Sequence, residues 1–118
     1  MGKLAGKCVL VIEDEALINM LLEDILESEG ATVLGPATTL ASALRLAASQ
    51  GIDAAIVDVN LGAEQSYPAA RLLAERGVPF VFTTAYARRS DPALEHAPFL
   101  GKPYGVRDLL QAVEALVD

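Results

Sequence analysis

Tryptophan is absent from this chain of 118 residues, aromatic side chains make up only 5%, and there is a single cysteine and a single histidine. With so few large rings, the core must be packed from Val, Ile, Leu and Ala, the bulk of a hydrophobic fraction of 53%. One thiol cannot close an internal disulfide, and Cys8 sits inside an apolar run, so it reads as a buried thiol in a reducing compartment. No apolar stretch approaches the ~20 residues that cross a bilayer, and residues 1–7 lack the apolar segment of a secretory signal. A cytoplasmic protein with no membrane partner is expected. Positive charge is also scarce. Nine Lys and Arg face sixteen Asp and Glu, for a formal charge of −7 and a pI near 4.6. A polyanion would be repelled, and no basic cluster larger than Arg88-Arg89 offsets this, which argues against nucleic acid as a partner.

What is present is alternation. Cys8–Ile12 is apolar throughout, as in a strand buried on both faces. Leu17, Leu21 and Ile25, with Ile18, Leu22 and Leu26 beside them, form one wide helical stripe that Gly30 stops. Residues 32–34 read as a second strand ended by Gly35-Pro36. Thr39 is placed to cap a helix on Leu40, Ala43, Leu44 and Ala47 that ends near Gly51. A third strand, 54–57, leads through a polar loop to a helix over 68–76, with Pro tolerated in its first turn. Residues 78–83 read as a fourth strand, with Pro79 at its start. The segment 87–98 is weak: Asp91-Pro92 opens a helix that Pro98 limits to a turn or two. After a fifth strand at 99–100, a last helix carries Val106, Leu109, Leu110 and Val113. This predicts one α/β domain spanning 1–118, a doubly wound parallel sheet of five strands with right-handed crossovers and a short fourth helix. There is no internal repeat or linker.

Four of the apolar runs end in residues suited to metal or phosphate. Glu13-Asp14 follows the first, Asp58 the third, Thr84 the fourth and Lys102-Pro103 the fifth. Ligands of open α/β sheets bind outside the carboxyl ends of the strands, so three carboxylates, a hydroxyl and an ammonium are expected in one crevice. Packed carboxylates repel one another and raise their pKa values unless a cation neutralises them. Mg²⁺ takes an octahedron of oxygens, few of them from protein, and suits so sparse a set.

These residues in this order resemble the receiver domain of response regulators, the phosphoacceptor module of two-component signalling. The resemblance rests on Val-Ile-Glu-Asp-Glu at 11–15, Val-Asp-Val-Asn-Leu at 57–61, Thr84-Ala85 and Phe-Leu-Gly-Lys-Pro at 99–103. It covers essentially the whole chain. It implies the family's flavodoxin-like (βα)5 fold with strand order 2-1-3-4-5, and a Mg²⁺ cofactor held by Asp14, Asp58 and the backbone carbonyl of Asn60. Glu13, where the family more often has Asp, would act largely through water. Asp58 would be the phosphoacceptor, attacking a phosphohistidine, while Thr84 and Lys102 bind phosphoryl oxygens. Pro103 would make a cis peptide that fixes the lysine's approach. By the same resemblance Thr84 is a switch residue, drawn inward on phosphorylation. Phe99 then either turns into the space left or stays a constant core residue. Tyr86 either regulates access to Asp58 or is a packing lid.

The implied function is a single-domain response regulator that takes phosphate from a histidine kinase or a phosphotransfer protein and changes a surface bound by a downstream protein. It would catalyse only its own phosphorylation and slow dephosphorylation, as a monomer or weak homodimer. The sequence departs from the common pattern in places. Only 18 positions separate Thr84 from Lys102, and Pro-Phe-Val-Phe-Thr-Thr-Ala-Tyr at 79–86 resembles the divergent subgroup with a Phe-Ala-Thr-Gly-Tyr-like motif. The loop after Asp58 has Gly62-Ala63-Glu64-Gln65 in place of the usual Pro-Gly-Met-Asp-Gly. Two other classes remain: a receiver-like interaction module that works without phosphorylation, and a small phosphohydrolase using Asp58. The second would want an acid two positions on, where this chain has Asn60. His96 receives no role. Gly2 to Lys7 imitates a phosphate-binding loop, but the spacing is one residue short and a strand follows.

Overall fold

The computed structural model describes residues 2–85 and 97–118. In chain order its elements are β1 (Cys8–Ile12), α1 (Ala16–Ser28), β2 (Thr32–Ala37), α2 (Leu40–Ala47), β3 (Ala54–Asp58), β4 (Asn60–Leu61), β5 (Glu64–Gln65), α3 (Tyr67–Glu75), β6 (Phe80–Thr84), β7 (Phe99–Gly101) and α4 (Val106–Val117). Five strands form one sheet in the order β2-β1-β3-β6-β7, and every pairing is parallel. This is the predicted fold. Tyr86 and residues 87–96 of the weak helical segment, His96 among them, lie outside the described residues.

The side-chain period of two divides the core into two halves. Leu10 and Ile12 of β1, Ala55 and Val57 of β3, and Phe80 and Phe82 of β6 turn toward α2 and α3, where Ala43, Ala47, Ala69, Ala70 and Leu73 pack on them. Val9, Val11, Ile56 and Val81 turn the other way, onto Leu22, Ile25 and Leu26 of α1 and Leu109 and Val113 of α4. Apolar residues on both faces explain why these strands are continuous hydrophobic runs. The small side chains of α2 and α3 leave room for an aromatic group centred on Phe82, whose ring meets Phe80 at 5.3 Å and Tyr67 at 5.8 Å, both edge-to-face. Edge-to-face contact brings a positive ring edge onto a negative ring face.

Several boundaries differ from the sequence expectation. Strand β2 does not stop at Gly35-Pro36 but runs to Ala37, through a cis Gly35-Pro36 bond and a break in register between Leu10 and Ile12. Gly35 has φ +103°, and an added Cβ would lie 2.8 Å from the Val11 carbonyl oxygen, so glycine is required there. The predicted loop after Asp58 contains the antiparallel ribbon β4–β5. The wide stripe on α1 proves narrower: Leu22, Ile25 and Leu26 are buried, whereas Leu17 is 80%, Met20 68% and Leu21 49% exposed. Thr39 does cap α2, in a reciprocal box with Ser42. No helix among the described residues is long and apolar enough to cross a membrane.

Two stability predictions follow from these contacts. Phe82 is fully buried, so Phe82→Ala should cost about 3–5 kcal/mol, read as a lower urea midpoint at unchanged slope. A loss under about 1 kcal/mol would show that the aromatic group does not anchor this half of the core. Thr39→Ala removes one capping acceptor and should cost about 1 kcal/mol, measurable in the same titration.

Candidate functional site

Placing β1 beside β3, with β6 and β7 following, brings the carboxyl ends of four strands to one edge. The chain leaving β1 carries Glu13, Asp14 and Glu15 into α1, and Asp58 is the last residue of β3. Thr84 ends β6 opposite Gly101 of β7. The Lys102 amide donates to the Thr84 carbonyl at 2.8 Å, which ties the lysine backbone to the sheet edge. Lys102-Pro103 is a cis peptide, the geometry that the family resemblance implied.

Lys102 is the hub of the site. Its ammonium lies 2.9 Å from Glu13 Oε1, 3.1 Å from Asp58 Oδ2 and 3.2 Å from Glu15 Oε1. Glu13 is almost wholly buried, and its other oxygen accepts the Glu15 backbone N–H at 3.1 Å. Its main chain is held as well: its N–H donates to the Ala37 carbonyl, and its carbonyl accepts the Asn19 side-chain amide at 2.8 Å. The run of β2 past Gly35-Pro36 supplies the first of these bonds. Asp58 Oδ1 accepts the Asn60 N–H at 3.3 Å, and Asp14 Oδ2 accepts the Gly62 N–H at 2.8 Å. The ribbon β4–β5 therefore positions one carboxylate from each of its neighbouring segments. Asp14, Glu15, Asp58, Asn60, Gly62, Ala85 and Lys102 line the resulting crevice of about 290 Å³.

The electrostatics follow from this crowding. Burial pushes the Glu13 carboxyl up to about 7, and proximity to Asp58 adds to the rise that Lys102 and the Glu15 amide oppose. Burial alone would lower the Lys102 ammonium, but its bonds to Glu13 and Asp58 outweigh that and hold it above the usual lysine value. One oxygen from each of Glu13, Asp14 and Asp58 falls within a 4.8 Å cluster. Burial disfavours the charged form of Glu13, and Asp58 beside it adds to that; a cation would favour the charged form of both, so the donor set fits a divalent metal. In a crevice of this size, an ion beside Asp58 and a lysine already in contact with it can together neutralise an incoming phosphoryl group.

Each predicted site residue among those described can be placed. Glu13, Asp14, Asp58, Asn60 and Lys102 come together. Thr84 is buried at the end of β6 on the same edge. Phe99 pairs with Phe82 in register and is half-buried, its ring 6.3 Å from that of Phe82. Sequence reasoning gave no role to Glu15 or Tyr104. Glu15 reaches Lys102. Tyr104 joins Glu15, Ile18, Leu21, Ala85, Lys102 and Pro103 around an adjoining pocket of about 410 Å³, and its hydroxyl is buried without a partner among the described residues. Burial, and after it the nearby Glu13, pushes that hydroxyl up to about 12. A third acid directly after Glu13-Asp14 was the available signal for Glu15; nothing local marked Tyr104.

Comparison with known proteins agrees with this geometry. Among curated proteins, the chain is 34% identical over 116 residues to the transcriptional regulatory protein PdtaR of Mycobacterium tuberculosis, covering 92% of this chain and 56% of that protein. The chain thus spans about half the length of that relative. The solution structure of SdrG from Sphingomonas melonis matches all of both chains at 42% identity with a TM-score of 0.80. The receiver domain of the sensor histidine kinase PA1611 from Pseudomonas aeruginosa, solved with a magnesium ion in its active-site cleft, matches at 27% identity with a TM-score of 0.81, over 96% of this chain and 98% of that one. The family model described as the response regulator receiver domain matches residues 9–114. A match that starts within β1 and ends within α4 takes in all five sheet strands save Cys8 and every residue of the crevice, and the chain belongs to the family of response regulator receiver domains.

Proposed function

We propose that this protein is a phosphoacceptor switch in which Asp58 receives a phosphoryl group from a histidine of a kinase or phosphotransfer protein. The observation that carries this reading is the environment of Asp58: one carboxylate oxygen 3.1 Å from the Lys102 ammonium, with Glu13 and Asp14 close enough to share a cation. Asp14, Asp58 and the Asn60 carbonyl would hold Mg²⁺, with Glu13 beside them acting through water. When bound, the ion would neutralise charge on the phosphoryl group and align it with Asp58. Asp58 supplies the attacking oxygen, and the Asn60 amide steadies its partner oxygen. Lys102, freed from a carboxylate, pairs with a second phosphoryl oxygen, and Thr84 donates to a third. The Thr84 displacement is the switch, and Phe99, alongside Phe82, is the residue placed to follow it.

The donor itself would seat on α1. Leu17, Met20 and Leu21 project from one side of that helix, next to the crevice and flanked by Glu23, Asp24 and Glu27. An exposed apolar strip with an acidic border suits a partner helix that carries apolar and basic residues. The response would be a changed protein-binding surface around β7 and α4, in a monomer or weak homodimer, with dephosphorylation by slow self-hydrolysis.

Incubation with acetyl phosphate and Mg²⁺ should add one phosphoryl mass to the intact protein, and Asp58→Ala should take none. Addition to the variant, or none to the wild type from any donor, would leave the unphosphorylated interaction module as the better reading. Lys102→Ala should slow the addition by about a hundredfold, since a lost charge-stabilising donor costs roughly that much.

Metal binding should also be visible without any donor. Mg²⁺ at about ten times its Kd should stabilise the fold by about 1.4 kcal/mol, read as a higher Tm. The metal needs anionic ligands, and Glu13 holds its proton below about 7, so the increment should be larger at pH 8 than at pH 6. Equal increments at both values would separate Glu13 from the metal site, and Asp14→Asn should remove most of the effect at either.

A further inference from the structure

Three carboxylates share the Lys102 ammonium, and the exposed one, Glu15, is the one the acceptor chemistry does not require. The Glu15 side chain is 60% exposed, yet its Oε1 lies 3.2 Å from Lys102 Nζ, on the same ammonium that Glu13 and Asp58 hold from within. Glu15 lines both the crevice and the adjoining pocket of about 410 Å³ beside Tyr104 and Pro103. Any donor that brings phosphorus to Asp58 through this opening passes close to it.

We infer that Glu15 is a positioning and specificity-determining residue that disfavours small, doubly charged phosphodonors relative to donors whose phosphoryl group is bonded to a cationic nitrogen. The inference rests on the phosphoacceptor reading of Asp58. Two effects act in the same direction. Glu15 competes for the lysine that must turn to the phosphoryl oxygens, and its charge repels the donor in proportion to the donor's own charge. In the transfer, an Asp58 oxygen forms a bond to phosphorus while the bond from phosphorus to the leaving atom breaks. With acetyl phosphate the P–O bond breaks and acetate departs with the electron pair. With phosphoramidate the P–N bond breaks and the already protonated nitrogen departs as ammonia. The first donor carries two negative charges at neutral pH. The second carries a net single charge, because its nitrogen is protonated; a phosphohistidine gains the same compensating charge when its imidazole ring is protonated at the nitrogen not bonded to phosphorus.

The test is a comparison of rates for wild type, Glu15→Gln and Glu15→Asp, followed by intact mass with both donors at saturating Mg²⁺ and at low and high salt. One exposed charge acting on another is worth roughly a factor of two, and a doubly charged donor feels it about twice as strongly in free energy. Glu15→Gln should therefore speed acetyl phosphate about fourfold and phosphoramidate about twofold, and the gain should shrink in high salt. Glu15→Asp keeps the charge and should keep the wild-type donor preference. An unchanged or slower reaction of Glu15→Gln with acetyl phosphate, equal acceleration with both donors, or loss of the preference in Glu15→Asp would each overturn the inference while leaving Asp58 as acceptor. No addition to wild type from either donor would instead overturn the acceptor reading, and this inference with it.

Discussion

The Lys102 ammonium and the carboxylates around it are the constraint on which the site depends. Glu13 is buried at the end of β1 and Asp58 at the end of β3, and two such groups cannot both remain charged in a partly dry crevice without a cation. Lysine meets this need with a compact charge on a long flexible arm. Its backbone, tied to Thr84, stays with the sheet while its head group can exchange one anion for another. An arginine fork would hold the same carboxylates in a fixed plane. Under the proposed function, a mobile point charge is the better device, because a phosphoryl group would replace one of its partners.

The fold supports this by separating two tasks. The strand interiors pack apolar residues on both faces and make a rigid platform. The strand ends, where ladder bonding stops, carry the charged groups of the site, and the ribbon β4–β5 adds the amides of Asn60 and Gly62. The helix α1 begins directly at the acidic cluster, so its first turn has a stake in the chemistry: the Glu15 amide binds Glu13, and Asn19 one turn later binds the Glu13 carbonyl. The outer side of the same helix carries the bare Leu17, Met20 and Leu21. Under the proposed function, recognition and chemistry would share one short element, and a partner seated on that side would lie beside the crevice.

The architecture was legible in the sequence because each strand of the main sheet is read from an apolar run and the first three helices have glycine stop signals at Gly30, Gly51 and Gly77. The Thr39 cap could also be read locally, since capping involves residues only three positions apart. Other features could not. Whether Leu17 and Leu21 are buried depends on how far α1 rotates against the sheet, and the apolar pattern alone does not record that angle. The run of β2 past Gly35-Pro36 depends on the Glu13 N–H finding the Ala37 carbonyl, a contact between separate segments. The ribbon after Asp58 has two residues on each side, too few for any periodicity to mark it.

At the site, the sequence by itself determined the kinds of group and the strand ends that carry them, because strand polarity and parallel pairing bring those ends together whatever the details of packing. The tertiary structure alone decided how the groups share one another. It set Lys102 among Glu13, Asp58 and Glu15, gave the Asp14 carboxylate to the Gly62 amide, and left the Tyr104 hydroxyl buried beside them. The physical reason is that charge pairing and desolvation act through distances of a few ångströms between residues up to 89 positions apart, and such distances exist only once the sheet has formed.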